Sequence, residues 1–138
     1  MGEFTLLEHT ADVAISASGD SLAEALAWLA AGMFSLIVDQ ETVVSSQCQR
    51  LSVTSRDRET LAVDWLNELL YRYETTGFLP KEYRLSLEEG EAGLDAICRG
   101  EQFDPARHRI LTVVKAATYH QLAVTYDGRW RAHVILDV

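Results

Sequence analysis

Residues 119–138 hold two strand-like runs, Tyr119 to Tyr126 and Arg129 to Val138, on either side of Asp127-Gly128. Asp-Gly between such runs predicts a type I′ hairpin turn, because both central residues of that turn need positive φ. A two-residue loop sets the register of everything beyond it. Counting back from the turn, Tyr126 faces Arg129, Val124 faces Arg131, Leu122 faces His133, His120 faces Ile135 and Thr118 faces Asp137. The closing segment Ala132-His133-Val134-Ile135-Leu136-Asp137-Val138 is apolar up to Leu136. That places it in a sheet, since loose chain ends are usually polar.

The remaining elements follow from period and punctuation. Thr10 to Ser18 reads as a strand ended by Gly19-Asp20. Ser21-Leu22-Ala23-Glu24 is a capping box, and Leu22, Leu26, Leu29, Met33, Phe34 and Ile37 recur at helical spacing, so a helix runs from Leu22 to Val38. Val43 to Thr54 alternates as a strand. Asp57 caps a second helix with apolar positions Leu61, Trp65, Leu66, Leu69, Leu70 and Tyr73, and Gly77 ends it. The period then switches to two. Tyr83 to Leu87 and Leu94 to Gly100 are strands about a Glu89-Gly90-Glu91 turn, and Ile110 to Ala116 is a further strand after the Asp104-Pro105 break. The expected fold is α+β, two helices packed on a largely antiparallel sheet, in a single domain spanning 1–138.

Bulk properties narrow the function. The net charge is -9, so the surface repels phosphate backbones and direct, non-specific nucleic-acid binding is not expected. Cys48 and Cys98 lack CxxC spacing and read as reduced thiols of a cytoplasmic protein. Met1-Gly2-Glu3-Phe4-Thr5 does not read as a signal peptide, and no segment approaches the length of apolar run expected of a membrane helix. There is no P-loop, no GxGxxG and no nucleophile elbow.

The polar residues that stand out are acids in apolar strands. Asp12 lies in such a run near one end, and Asp137 lies beside the α-carboxylate of Val138 at the other. Acids held on rigid strands repel each other unless a cation joins them, and a hard divalent ion with oxygen ligands would do so. The plainer reading puts each acid on a wet surface. Asp64 and Glu68 are one turn apart on the second helix, with Arg72 four residues after Glu68, the order of a salt-bridged face. His9, His108, His120 and His133 have no metal-ligand spacing, and hydrogen bonding is their expected role. Lys115 is a lone cation in an apolar run, either a counter-charge or a contact for a phosphate or a partner carboxylate.

Five blocks taken together resemble the archease family: His9-Thr10-Ala11-Asp12-Val13, Val63 to Tyr71, Phe103 to His108, Val114 to His120, and Val134 to Val138. The resemblance runs the length of the chain in order. Ala14 departs from it, where glycine is expected in many members. The resemblance implies a non-catalytic activator of an RtcB-type RNA ligase, promoting guanylylation and turnover of that enzyme in tRNA splicing or RNA repair. It also implies a metal site at Asp12, Asp137 and Val138 that takes calcium, with magnesium or manganese as alternatives, and a functional lysine at Lys115. His9, His120, Asp64 and Glu68 are the further candidates for a partner-binding or functional role. Two other functions compete: a metal-dependent hydrolase with His120 as base, and a chaperone-like modulator of a tRNA-modifying enzyme.

Overall fold

The computed structural model describes residues 2–8 and 12–138, with the backbone alone for Leu7 and Glu8. Its strands form two antiparallel sheets. One has the order β1-β2-β7-β6, built from Glu3–Glu8, Asp12–Gly19, Trp130–Asp137 and Ala116–Tyr126. The other has the order β3-β5-β4, built from Gln47–Thr54, Gly93–Gln102 and Phe78–Leu87. Two helices, α1 (Leu22–Ile37) and α2 (Arg58–Thr76), lie against them. Helix α1 packs chiefly on β2 and β4, and α2 chiefly on β6.

Both helices begin and end where local chemistry says they should. The Ser21 hydroxyl accepts the Glu24 N–H (3.1 Å), and the Asp57 carboxylate accepts the Thr60 N–H (2.7 Å). Gly77 stops α2 in the left-handed region at φ 78°, where a Cβ would be strained. Between the helices, the indole N–H of the fully buried Trp65 donates to the Leu26 carbonyl (2.9 Å). That bond joins α1 to α2 and leaves no unpaired polar atom on the buried ring.

Several strand expectations need correction. The Asp127-Gly128 hairpin has a three-residue loop, because Tyr126 pairs with Trp130 and leaves Asp127, Gly128 and Arg129 outside the ladder. Gly128 takes φ 93° there. The register then slips again. Tyr119, His120, Gln121 and Leu122 stand against Val134 alone, and Gln121 sits at φ 52° in the resulting bulge. Asp137 therefore faces Ala116, not Thr118, and Thr118 faces Ile135. Residues 110–115 form no strand; an isolated bridge joins Ile110 to Val38. The strand expected from Val43 starts at Gln47, because the Val44 N–H is taken by the Glu101 carboxylate (2.7 Å) rather than by a neighbouring strand. Strand β1, which carries no clear alternation, pairs with β2 from Glu3↔Ser18 to Glu8↔Val13.

The smaller sheet depends on one glycine. Gly100 pairs with Pro80 across a register shift between Pro80 and Glu82. A Cβ on Gly100 would run into the Leu79 carbonyl and the backbone of Pro80. Gly100→Ala is expected to cost about 3 kcal/mol, the upper end for overpacking, because the obstacle is main chain that cannot rotate away. Chemical denaturation measures it, and a loss below about 0.5 kcal/mol would show that the bulge relaxes.

Candidate functional site

Strand pairing brings Asp12 and Asp137, far apart in the sequence, together. Strand β2 pairs antiparallel with β7, and Asp12 lies directly opposite Asp137. Paired residues of this kind have Cα atoms about 4.5–5.5 Å apart. Val13, Ile15 and Ala17 alternate into the core with Leu136, Val134 and Ala132, so both aspartates belong to the face turned away from the helices. Like charges directly opposite are unfavourable. Asp137 is exposed, but Oδ1 of Asp12 is buried and has no hydrogen-bond partner among the described residues. A buried, unpaired carboxylate oxygen beside a second carboxylate fits a cation held by oxygens. No group of three or more His, Cys, Asp or Glu side chains that could hold a metal ion occurs among the described residues. Further oxygens for an ion would be waters and, in a chain that ends at Val138, its α-carboxylate.

Lys115 is tied to this tip through its backbone. Its N–H donates to the Asp137 carbonyl (2.8 Å), while its exposed ammonium makes no ion pair among the described residues. The neighbouring residues are clamped to α2. The Asn67 side-chain amide both accepts the Ala117 N–H (2.8 Å) and donates to the Ala117 carbonyl (3.0 Å). Asp64 accepts the Tyr119 hydroxyl (2.6 Å) and the Ser55 hydroxyl (2.6 Å). The bond to Asp64 raises the Tyr119 pKa above its ordinary value. Helix α2 thus holds β6 by two side chains, Asn67 and Asp64, through three hydrogen bonds, and β6 holds the end of β7. The Val63–Tyr71 and Val114–His120 blocks are two halves of one joint. Asn67 carried no signal of this role in the sequence; an amide facing a strand backbone is recognisable only once the strand is in place.

The other candidates fall elsewhere. Glu68 pairs with Arg72 (2.9 Å) on the α2 surface, as its spacing predicts. His120 is exposed within the β6 bulge and does not face Ile135, so the predicted register does not deliver it to Asp137. His9 lies outside the described residues. His133 is hydrogen-bonded through Nδ1 to the Ser16 hydroxyl (2.8 Å), four residues along the strand from Asp137. This pair helps to line an open groove with Thr5, Ser18 and Arg131 on the same outer face.

The Phe103–His108 block builds a lock. Nδ1 of the buried His108 accepts the Asp104 N–H (2.9 Å), which leaves Nε2 to donate to the Glu101 carboxylate (3.0 Å). The same carboxylate accepts the Val44 N–H and pairs with Arg107. These donors, Arg107 foremost, hold the Glu101 carboxyl down at about 2. Nothing in the sequence marked Glu101, since a glutamate in a strand ordinarily faces water.

Comparison with known proteins decides the family. The profile of the Archease protein family (MTH1598/TM1083) matches residues 4–138. This chain belongs to the archease family. Its relatives include the protein archease of Methanosarcina acetivorans, 39% identical over 99% of this chain and 96% of that protein. That of Pyrococcus furiosus is 33% identical over the whole of both chains. The solution structure of Methanobacterium thermoautotrophicum protein 1598 shares the fold with a TM-score of 0.82 at 33% identity, covering 99% of this chain and 98% of that one. That match agrees with the arrangement of two helices and two antiparallel sheets described above. Among the described residues, no helix is long and apolar enough to cross a membrane.

Proposed function

We propose that this archease is a non-catalytic, metal-binding activator of an RtcB-type RNA ligase, promoting the ligase's guanylylation and turnover in the cytoplasm. The observation that supports this most directly is the Asp12↔Asp137 pairing, with Oδ1 of Asp12 buried and unpaired. Asp12, Asp137 and, in a chain ending at Val138, its α-carboxylate would hold a divalent ion, calcium by preference because calcium takes six to eight oxygens in flexible geometry. Bound there, the ion supplies positive charge that offsets the facing carboxylates. The chain's own residues present the tip: Asn67 and Asp64 brace β6, and Lys115 offers the cation beside the acidic pair. A net charge of -9 suits a protein that meets a basic nucleotide-binding cleft rather than RNA itself. The hydrolase reading gains no support, because strand pairing does not bring His120 to the aspartates.

Lys115→Ala tests the role. The backbone bond to Asp137 survives the substitution, and one exposed charge rarely costs more than about 0.5 kcal/mol, so the melt should not change. Single-turnover GMP loading of a purified ligase should fall several-fold relative to wild-type stimulation. Wild-type stimulation by the variant would remove Lys115 from the contact. No stimulation by the wild-type protein at any metal concentration would remove the ligase as the partner.

A further inference from the structure

Residues 109–115 have the composition and alternation of a strand, and beyond the single Val38↔Ile110 bridge no strand among the described residues pairs with them. Arg109, Leu111, Val113 and Lys115 are exposed, whereas Ile110 and Thr112 are half-buried and Val114 is buried. The segment is anchored at both ends: the Leu111 N–H donates to the Ile37 carbonyl (2.8 Å) and the Lys115 N–H to the Asp137 carbonyl (2.8 Å). Between those anchors the N–H groups of Thr112, Val113 and Val114 make no backbone bond among the described residues. Unpaired backbone on a segment whose side chains alternate between exposed and covered is a template for another strand. Two large apolar side chains stand out beside it, Leu111 at 55% and Val113 at 70% exposure.

Charge selects the occupant. The outward row reads basic, apolar, apolar, basic, and neither Arg109 nor Lys115 forms an ion pair among the described residues. A second copy is a poor fit. Antiparallel pairing in full register sets Arg109 opposite Lys115, parallel pairing sets each basic residue opposite itself, and like charges directly opposite are destabilising. Slipping the register to escape this shortens a ladder that is already brief. A strand with acids at both ends meets the row without conflict.

We propose that residues 109–115 are an open strand edge that accepts an extended segment of a partner protein, carrying acidic residues opposite Arg109 and Lys115 and β-branched residues opposite Leu111 and Val113. Main-chain bonds would supply affinity and the alternate side chains specificity, as in other cases of strand addition. The edge leads directly into the tip, since Lys115 bonds to Asp137. A partner seated on it is aligned with the two aspartates.

The probe is a capped synthetic peptide, Glu-Thr-Val-Thr-Val-Thr-Glu, titrated into the full chain and followed by amide NMR. Its counterpart has lysine at both ends. The acidic peptide should shift the amides of residues 110–115 and slow hydrogen exchange at Thr112 and Val114, whose N–H groups alternate to the side opposite those of Leu111 and Lys115, at least tenfold. Arg109→Glu should weaken it at least tenfold and improve binding of the lysine peptide, and Val113→Lys should weaken both peptides without altering the melt. Absence of binding by either peptide at millimolar concentration overturns the proposal. So does equal binding of both peptides to the wild type, or exchange protection at these amides that appears with protein concentration alone, which would assign the edge to a second copy. An acidic peptide that binds, together with a ligase that shows no GMP-loading response, would keep the edge and remove the ligase; the reverse result would keep the ligase and remove the edge.

Discussion

Asp12→Asn should melt higher than the wild type without metal and should lose the stabilisation that calcium gives. The two halves of this expectation have one cause. Asp12 faces Asp137 across the β2–β7 ladder, and its Oδ1 is buried with no partner among the described residues. Facing like charges cost roughly 0.2–1 kcal/mol, and an unsatisfied buried polar atom about 1–3 kcal/mol. Relief of part of this should gain about 1–2 kcal/mol, or about 3–6 °C for a domain of this size. In the wild type, calcium at a hundred times its dissociation constant should add about 2.7 kcal/mol. The two melting curves should therefore cross as calcium is raised, with the wild type below the variant at first and above it at saturation. Asp137→Asn should behave alike with a smaller metal-free gain, because that side chain is already exposed. In a chain that ends at Val138, a fusion there turns its carboxylate into an amide, and reduced calcium affinity in that protein would add Val138 to the ligands. Equal calcium-induced shifts in the wild type and both aspartate variants would abolish the site.

Local chemistry explains which parts of this fold were legible. Helices α1 and α2 were readable to within a residue because Ser21, Asp57 and Gly77 act on their own neighbours. The hairpin was readable, but its register was not. The loop holds three residues, and the bulge at residues 119–122 depends on a glutamine at positive φ, a position that glycine would have announced. Ile110 to Ala116 was read as a strand, but residues 110–115 join no ladder among the described residues, because alternation reports exposure of one side and not the presence of a partner. The opposition of Asp12 and Asp137 lies beyond local reading altogether. It comes from pairing between strands near opposite ends of the chain, and the resemblance to archeases, not the spacing, put the two acids in one site. The role of Asn67 was hidden for the same reason.

The Glu101 lock should govern acid unfolding. Its carboxyl is held at about 2, against an ordinary 4.5, chiefly by the hydrogen bond from Arg107, with the Val44 N–H and His108 adding to it. A depressed carboxyl stabilises the fold above its unfolded value. That contribution is whole above about pH 4.5 and drains away as the pH falls toward about 2. Arg107 is half exposed, so water screens part of the attraction, and about 2 kcal/mol is the expected amplitude. Glu101→Ala strands the Val44 N–H and Nε2–H of His108 in a buried site and should cost about 3 kcal/mol at pH 7. Glu101→Gln keeps one oxygen for those donors, so it should cost less, and it removes the titrating group. Urea midpoints measured from pH 6 to pH 2 separate the cases: the wild type should lose stability more steeply than Glu101→Gln below about pH 4.5, and the two should converge near pH 2. Parallel curves would mean that other carboxylates set the acid limit. The functional consequence follows the chain. His108 fixes the turn that feeds Arg109 and the exposed row ending at Lys115, which is bonded to Asp137. Glu101→Ala should therefore loosen the partner edge while leaving both metal-facing aspartates in place. Calcium affinity near wild type, combined with weakened binding of the acidic peptide, is the expected pair of results; loss of both together would show that the lock holds the whole tip rather than the edge.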